Sequence, residues 1–238
     1  MTKTLVLARR ELASYFVSPM AYIVAALFLM GSGGWFFSEI FRQGNEASLR
    51  VLFDGMAMMM VAAVPLLTMK LISDELRSGT IETLMTAPVT EVEIVLGKFL
   101  GVLALYVILL AGTAVYLVLM ALYGQPDAGV AVMGYVGMLL LGTAFIAVGV
   151  FASTLTRYQL VAAIIGIAVL ALFTLVMPWM VRTASAPLNH LAARLNVMAY
   201  FQDFSRGTFD SRGVVFFLGS AVLFLFLSVK TLESRRWR

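Results

Sequence analysis

AGVAVMGYVGMLLLGTAFIAVGVFASTLT, residues 128–156, contains no charged side chain. A helix rises 1.5 Å per residue, so about 20 apolar residues cross the roughly 30 Å hydrocarbon core of a bilayer. This run exceeds that length, and its apolar residues follow no period of two or 3.6. That pattern reads as a segment solvated by lipid, not as one face of a water-soluble core. Working outward, the same reading applies to 12–38, 55–69, 99–126, 158–181 and 213–229. The two short runs lengthen at their ends. Val51, Leu52 and Phe53 precede the second, and Lys70 can snorkel beyond it, as Lys230 can beyond the last. Composition agrees: 61% of residues are hydrophobic, 13% are charged and the mean hydropathy is +0.96. A soluble domain carries about 25% charged residues.

Six spans place both termini on one side. Lys3, Arg9, Arg10, Lys70, Arg77, Lys98, Arg157, Lys230, Arg235, Arg236 and Arg238 fall there, against Arg42, Arg50, Arg182, Arg194, Arg206 and Arg212 opposite. Cations favour the cytoplasmic side, so the termini are expected in the cytoplasm. The net charge of +4 is spread singly between apolar runs, which fits a membrane protein and not a nucleic-acid binder. Cysteine is absent and His190 is the only histidine. Disulfides, thiol catalysis, Cys-based zinc sites and a His-rich metal site are therefore excluded. No secretory leader is expected, because Arg9, Arg10 and Glu11 interrupt the first apolar stretch.

Three segments lie outside the simple spans. In the first, Leu5, Ala8, Leu12, Tyr15 and Phe16 repeat at helical spacing while Lys3, Arg9 and Arg10 fall off that stripe. An amphipathic helix in the interface is expected, bending at Ser18-Pro19 into span one. The second follows span two and carries Asp74, Glu75, Glu82, Glu91 and Glu93. Ser73 is a candidate N-cap and Gly79 a stop. Ala87-Pro88 ends the stripe of Ile81, Leu84 and Met85. Thr90 and Glu93 have capping-box spacing, with Val89 and Ile94 placed as a hydrophobic staple, so span three begins before the bilayer. In the third, 182–212, Leu188, Leu191, Leu195 and Met198 share one helical face and Tyr200, Phe201 and Phe204 follow. Short amphipathic or re-entrant helices packed on spans five and six are expected. Gly97–Gly101 and Ala162–Gly166 put small residues at i and i+4, a spacing that lets helices approach closely.

Chemistry-bearing motifs are missing. There is no G-x-x-x-x-G-K-[ST], G-x-S-x-G or H-E-x-x-H, so no P-loop, serine-nucleophile or metalloprotease reading applies. Asp54 and Glu39 come nearest to intramembrane ionisable groups, and both lie at span ends. This argues against an ion-driven carrier and against an intramembrane lipid-modifying enzyme. The methionines at 56 and 58–60 read as adaptable packing.

Three separated motifs carry a resemblance. Glu75-Leu-Arg77-Ser-Gly79-Thr80-Ile-Glu82-Thr-Leu84, then Ala87-Pro88-Val89 and Gly97-Lys98, look like the signature of type-2 ABC exporter permeases. Arg9-Arg10-Glu11-Leu12 and Tyr15-Phe16-x-Ser18-Pro19 resemble the opening of that family. Phe201-x-x-Phe204-Ser-Arg206-Gly207 and Leu232-Glu233-Ser-Arg235-Arg236 resemble its close. Together they are most similar to the gliding-motility-associated branch.

The resemblance implies an all-α polytopic protein of six transmembrane helices, at 20–41, 51–73, 90–123 with its cytoplasmic extension, 129–155, 158–181 and 212–232. To these it adds a connecting helix (2–17), a coupling helix (74–87) and short outer helices (187–206). Asp74, Glu75, Arg77, Gly79, Thr80, Glu82, Leu84 and Pro88 would couple to the ATPase. Arg9, Arg10, Glu11, Tyr15 and Phe16 would belong to the connecting helix, and Phe201, Phe204, Arg206 and Gly207 to an outer gate. The implied partners are an ABC ATPase subunit, a second permease chain, membrane lipid and, in some systems, an extracytoplasmic auxiliary subunit. ATP and Mg would sit in the ATPase, and this chain would hold no cofactor and do no catalysis. The implied location is the bacterial inner membrane. The same coupling loop would also serve an ATP-driven machine that moves an extracytoplasmic partner without transport. The uncharged spans suit an amphiphilic cargo better than a metal ion.

Overall fold

A computed structural model of the chain describes residues 2–40, 49–80, 89–123 and 127–236. Every regular element among them is a helix. An N-terminal helix, α1 (Thr2–Val17), precedes span one, α2 (Pro19–Ile40). Span two is α3 (Leu49–Thr68), and a short α4 (Ser73–Ser78) follows it. Span three is α5 (Glu91–Gly112) with α6 (Ala114–Tyr123), and span four is α7 (Ala128–Leu155). Span five is α8 (Gln159–Ala171), a π turn (Leu172–Val176) and α9 (Met177–Thr183). Then come α10 (Leu188–Leu195), α11 (Val197–Ser205) and span six, α12 (Ser211–Arg236). Six of these helical stretches are long and apolar enough to cross a membrane, as expected.

Span four is the hub. In its most apolar window 72% of the residues are buried, and in that of span two 61%, against 28–33% for the other four. Those four therefore form an outer ring with broad apolar flanks. Lipid tails are as apolar as leucine, so helices in a bilayer are held by close packing more than by hydrophobic expulsion. Span four supplies that closeness through glycines. The ring of Phe53 from span two lies against Gly134, Tyr106 from span three against Gly142, and Thr68 against Gly149. Tyr106 also donates its hydroxyl to the Met138 carbonyl at 2.7 Å. The expected Ala162–Gly166 face packs as well: a side chain at Gly166 would meet Pro65 of span two at 3.0 Å.

Two spans are not single regular helices. Span three breaks at Thr113, whose hydroxyl turns back to the Leu110 carbonyl at 2.6 Å, a side-chain bond that competes with helical continuation. In span five Pro178 has no N–H for the Thr174 carbonyl, and its ring crowds that oxygen. The preceding turn widens, and the Met177 amide reaches back five residues to Leu172.

The outer segment departs from the single face expected for it. Asn196 interrupts it and caps α11, accepting from the Ala199 amide at 3.1 Å. Leu188, Leu191 and Leu195 consequently face outward, whereas Met198, Phe201 and Phe204 are buried. The main partner of α11 is span four, with spans two and six and the π turn of span five secondary, and α10 rests on the end of span five. Packing was expected on spans five and six. The reason for span four is Gly137, which leaves room for Phe204. A Schellman motif ends α11: the Gly207 amide donates to Phe204 at 2.9 Å and the Thr208 amide to Asp203 at 3.0 Å. Gly207 takes φ +83° there, a conformation open to glycine.

Candidate functional site

The end of the bundle that carries both termini gathers charged residues from distant parts of the chain. It starts with α1, whose stripe of Leu5, Ala8, Leu12, Tyr15 and Phe16 is expected to lie in the membrane interface. Leu5 and Phe16 are exposed and Tyr15 is buried, and α1 lies along α5 through Thr4, Leu7, Ala8 and Glu11. The cause is the glycine pair. A Cβ at Gly97 would come within 2.6 Å of the Leu7 Cβ, and one at Gly101 within 2.7 Å of the Glu11 Cβ. Tyr15 is buried and donates to the Leu67 carbonyl at 2.7 Å. Burial pushes its hydroxyl well above the usual tyrosine range, so it stays a neutral donor. Lys70 lies 4.7 Å over the same ring and donates to Ser18 Oγ at 2.8 Å. The N-terminal helix is thereby latched to the end of span two as well as to span three.

That contact brings three charges together. Lys98 Nζ stands 2.8 Å from Glu75 Oε1 and 3.5 Å from Glu11 Oε2. The three side chains are 5%, 16% and 13% exposed, respectively. Arg10, largely exposed, approaches Glu75 at 3.9 Å and adds little. A lysine this enclosed is tolerated because two carboxylates offset its lost hydration. In the sequence Lys98 reads as one cation of the terminal side and as part of the Gly97-Lys98 motif, not as the centre of a cluster. The available signal was a charged residue inside a small-residue packing face, which must find a buried partner.

The short helix α4 presents Glu75 and Leu76 inward and Asp74 and Arg77 outward. Ser73 is not its N-cap, because the chain enters α4 through continuous turns and backbone carbonyls already serve its amides. The Leu76 amide reaches Ile72 at 2.9 Å, and Ser73 donates its hydroxyl to the Met69 carbonyl. Gly79 ends the helix with φ +74°, and Thr80 exchanges a 2.9 Å hydrogen bond with Ser78. Glu82, Leu84 and Pro88 lie outside the described residues. Beyond them the expected capping box is present. Glu93 accepts from the Thr90 amide at 3.0 Å and donates its own amide to Thr90 Oγ1 at 3.3 Å. Asp74 ties α4 to span five by accepting from Gln159 Nε2 at 2.7 Å. Arg235, from span six, donates to the free carbonyls of Thr154 and Leu155 at the end of span four. Arg9 is exposed.

At the opposite end, Phe201 and Phe204 are fully buried and Arg206 is exposed. Asp54 meets this corner, beside Ser205 and within the field of Arg50 and Arg206. Among the described residues no group of His, Cys, Asp or Glu is placed to hold a metal ion. What the terminal end can do is mechanical. A force applied to α4 reaches α1, span three and span five through bonded side chains.

Residues 37–229 match the family model described as ABC-2 family transporter protein. The chain belongs to the ABC-2 transporter family. Among curated proteins none matches it. The match runs from the end of span one to the end of span six and includes the segment after span two, while α1 lies before it. An ABC-2 permease is a membrane component of a transport system, and six apolar spans make this one a multi-pass membrane protein.

Proposed function

We propose that this ABC-2 permease is the membrane-spanning subunit of an exporter. Its energy would come from ATP hydrolysis in a separate ABC ATPase that docks on residues 74–87 from the cytoplasm. The observation that carries the reading is the Lys98–Glu75–Glu11 cluster. It ties α4 to α1 and span three, so a push on α4 would tilt helices. In this reading α1 is the connecting helix and 74–87 the coupling helix. Asp74, Arg77, Gly79, Thr80, Glu82, Leu84 and Pro88 would form or shape the docking surface. Glu75 would act from behind it by holding Lys98.

Two permease chains and two ATPases would form the working unit, and the apolar flanks of the outer ring offer surface for a second copy. Closure of the ATPases would press both coupling helices and rock the spans about the interface between copies. Phe201, Phe204, Arg206 and Gly207 would belong to an outer gate. The termini are assigned to the cytoplasm and the membrane to the bacterial inner membrane. The gliding-motility-associated branch is the subfamily we assign. An extracytoplasmic auxiliary subunit would meet α10 and α11.

The test is co-purification with the cognate ATPase. Arg77→Glu combined with Glu82→Lys should weaken assembly by about tenfold, as loss of exposed charge-assisted contacts would, while the permease itself keeps its stability. Unchanged assembly and unchanged coupled ATPase activity would remove the docking assignment. Reconstituted vesicles that hydrolyse ATP but move no labelled amphiphile would point to a force-transmitting machine instead.

A further inference from the structure

Between spans four, five and six lies a cavity of about 140 Å³ that the coupling reading does not use. Phe145, Leu170, Phe173 and Phe224 wall it, and Leu195 and Val197 close its outer end. Ser220 brings the one hydroxyl among its lining side chains. Water settles in a cavity only with two to four polar partners, so this one is dry. Left empty, its walls forfeit their dispersion contacts on that side. A cavity of about 150 Å³ lined by similar side chains takes up benzene, so the space suits about six carbons of hydrocarbon.

Three observations select the occupant. Leu223 and Leu195 are 54% and 41% exposed, so the cavity communicates with the flank of the bundle, which in a multi-pass membrane protein is bathed in acyl chains. Its lining extends from the outer helices to Ala144 and Val148 in the body of span four, the course of a tail entering from the leaflet away from the termini. No charged side chain lines it, so it offers nothing to a headgroup. We infer that this cavity is a site for one acyl chain of a bilayer phospholipid. The chain is held as a resident wedge against the π turn of span five, whose Phe173 forms part of the wall.

The full chain is reconstituted in phosphatidylcholine vesicles containing a small fraction of phosphatidylcholine with a photoreactive diazirine near the end of one acyl chain. After irradiation, labelled positions are mapped by peptide mass spectrometry. Labelling at Phe173, Phe217 and Phe224 should exceed that at exposed Leu27 and Leu122 by about fivefold, because a held tail keeps its contacts where a passing one does not. Ala144→Leu with Ser220→Leu fills the space and should bring Phe173 down to the level of Leu27. If that pair does not fold, Ser220→Phe alone is used, and the unmodified profile already decides. Equal labelling of the cavity and Leu27 overturns the inference. So does cavity labelling that survives filling, or that appears only during ATP turnover with the ATPase bound, which would make the occupant cargo.

Discussion

Lys98 and Glu75 are 2.8 Å apart, and each comes from a segment bordering residues 81–88. The pair joins α4 to α5. It does so in a protected setting, where the ammonium is nearly enclosed and a second carboxylate, Glu11, arrives from α1.

Removing the cation should therefore be costly. Lys98→Met leaves two enclosed carboxylates without compensation, and breaking a buried pair in this way costs about 3–5 kcal/mol. Adding Glu75→Gln to Lys98→Met should recover about half of that loss, since one uncompensated charge remains. Unfolding equilibria in detergent micelles check both. Equal stability of Lys98→Met and the parent would show the cluster to be incidental.

The α1–α5 contact makes a separate prediction. Gly97→Leu drives a side chain into Leu7 and should cost about 1–3 kcal/mol as overpacking. It should also release the N-terminal helix, seen as faster hydrogen exchange in residues 4–16 with the spans unaffected.

Thr90→Ala removes one half of the capping box that starts span three. A loss of about 1 kcal/mol is expected, with Thr90→Ser close to the parent. Thermal denaturation of the purified chain measures it.

Gly207→Val should be worse than Gly207→Ala, because the position combines a left-handed backbone with Val130 at 3.1 Å. About 1–2 kcal/mol is expected for the alanine variant. The readout is proteolytic protection of the α11–α12 corner.

The absence of native cysteine makes topology directly measurable. Single variants Ser78→Cys and Ser234→Cys should share one side, and Thr208→Cys should take the other. A membrane-impermeant maleimide applied to intact cells should label only the last, as the cation bias predicts. Labelling of Ser78→Cys from outside would sink the coupling proposal.

Much of the architecture was legible along the chain. Four charge-free runs are longer than a bilayer is thick and the two shorter ones reach it through their apolar or snorkelling ends, so the six spans could be counted directly. The Thr90–Glu93 box and the stop at Gly79 were equally local, since each depends on residues within one turn. The contact of α1 with span three was not legible, because an amphipathic pattern predicts a face toward water and a face toward something apolar. It does not say whether that second face meets lipid or another helix. Short helices at 187–206 were legible, but the single face read across them was not kept: the Asn196 cap starts a second helix and turns half of that face outward.

Spanning length, side-to-side charge bias and helix caps are properties of neighbouring residues, and the order of amino acids alone determined them here. Which helices touch was decided only in three dimensions. Small residues license contact with any partner that fits, and Gly97, Gly134 and Gly137 found Leu7, Phe53 and Phe204 only once the bundle closed. Lys98 likewise became a clasp when Glu11 and Glu75, far away in sequence, arrived within reach of one ammonium group.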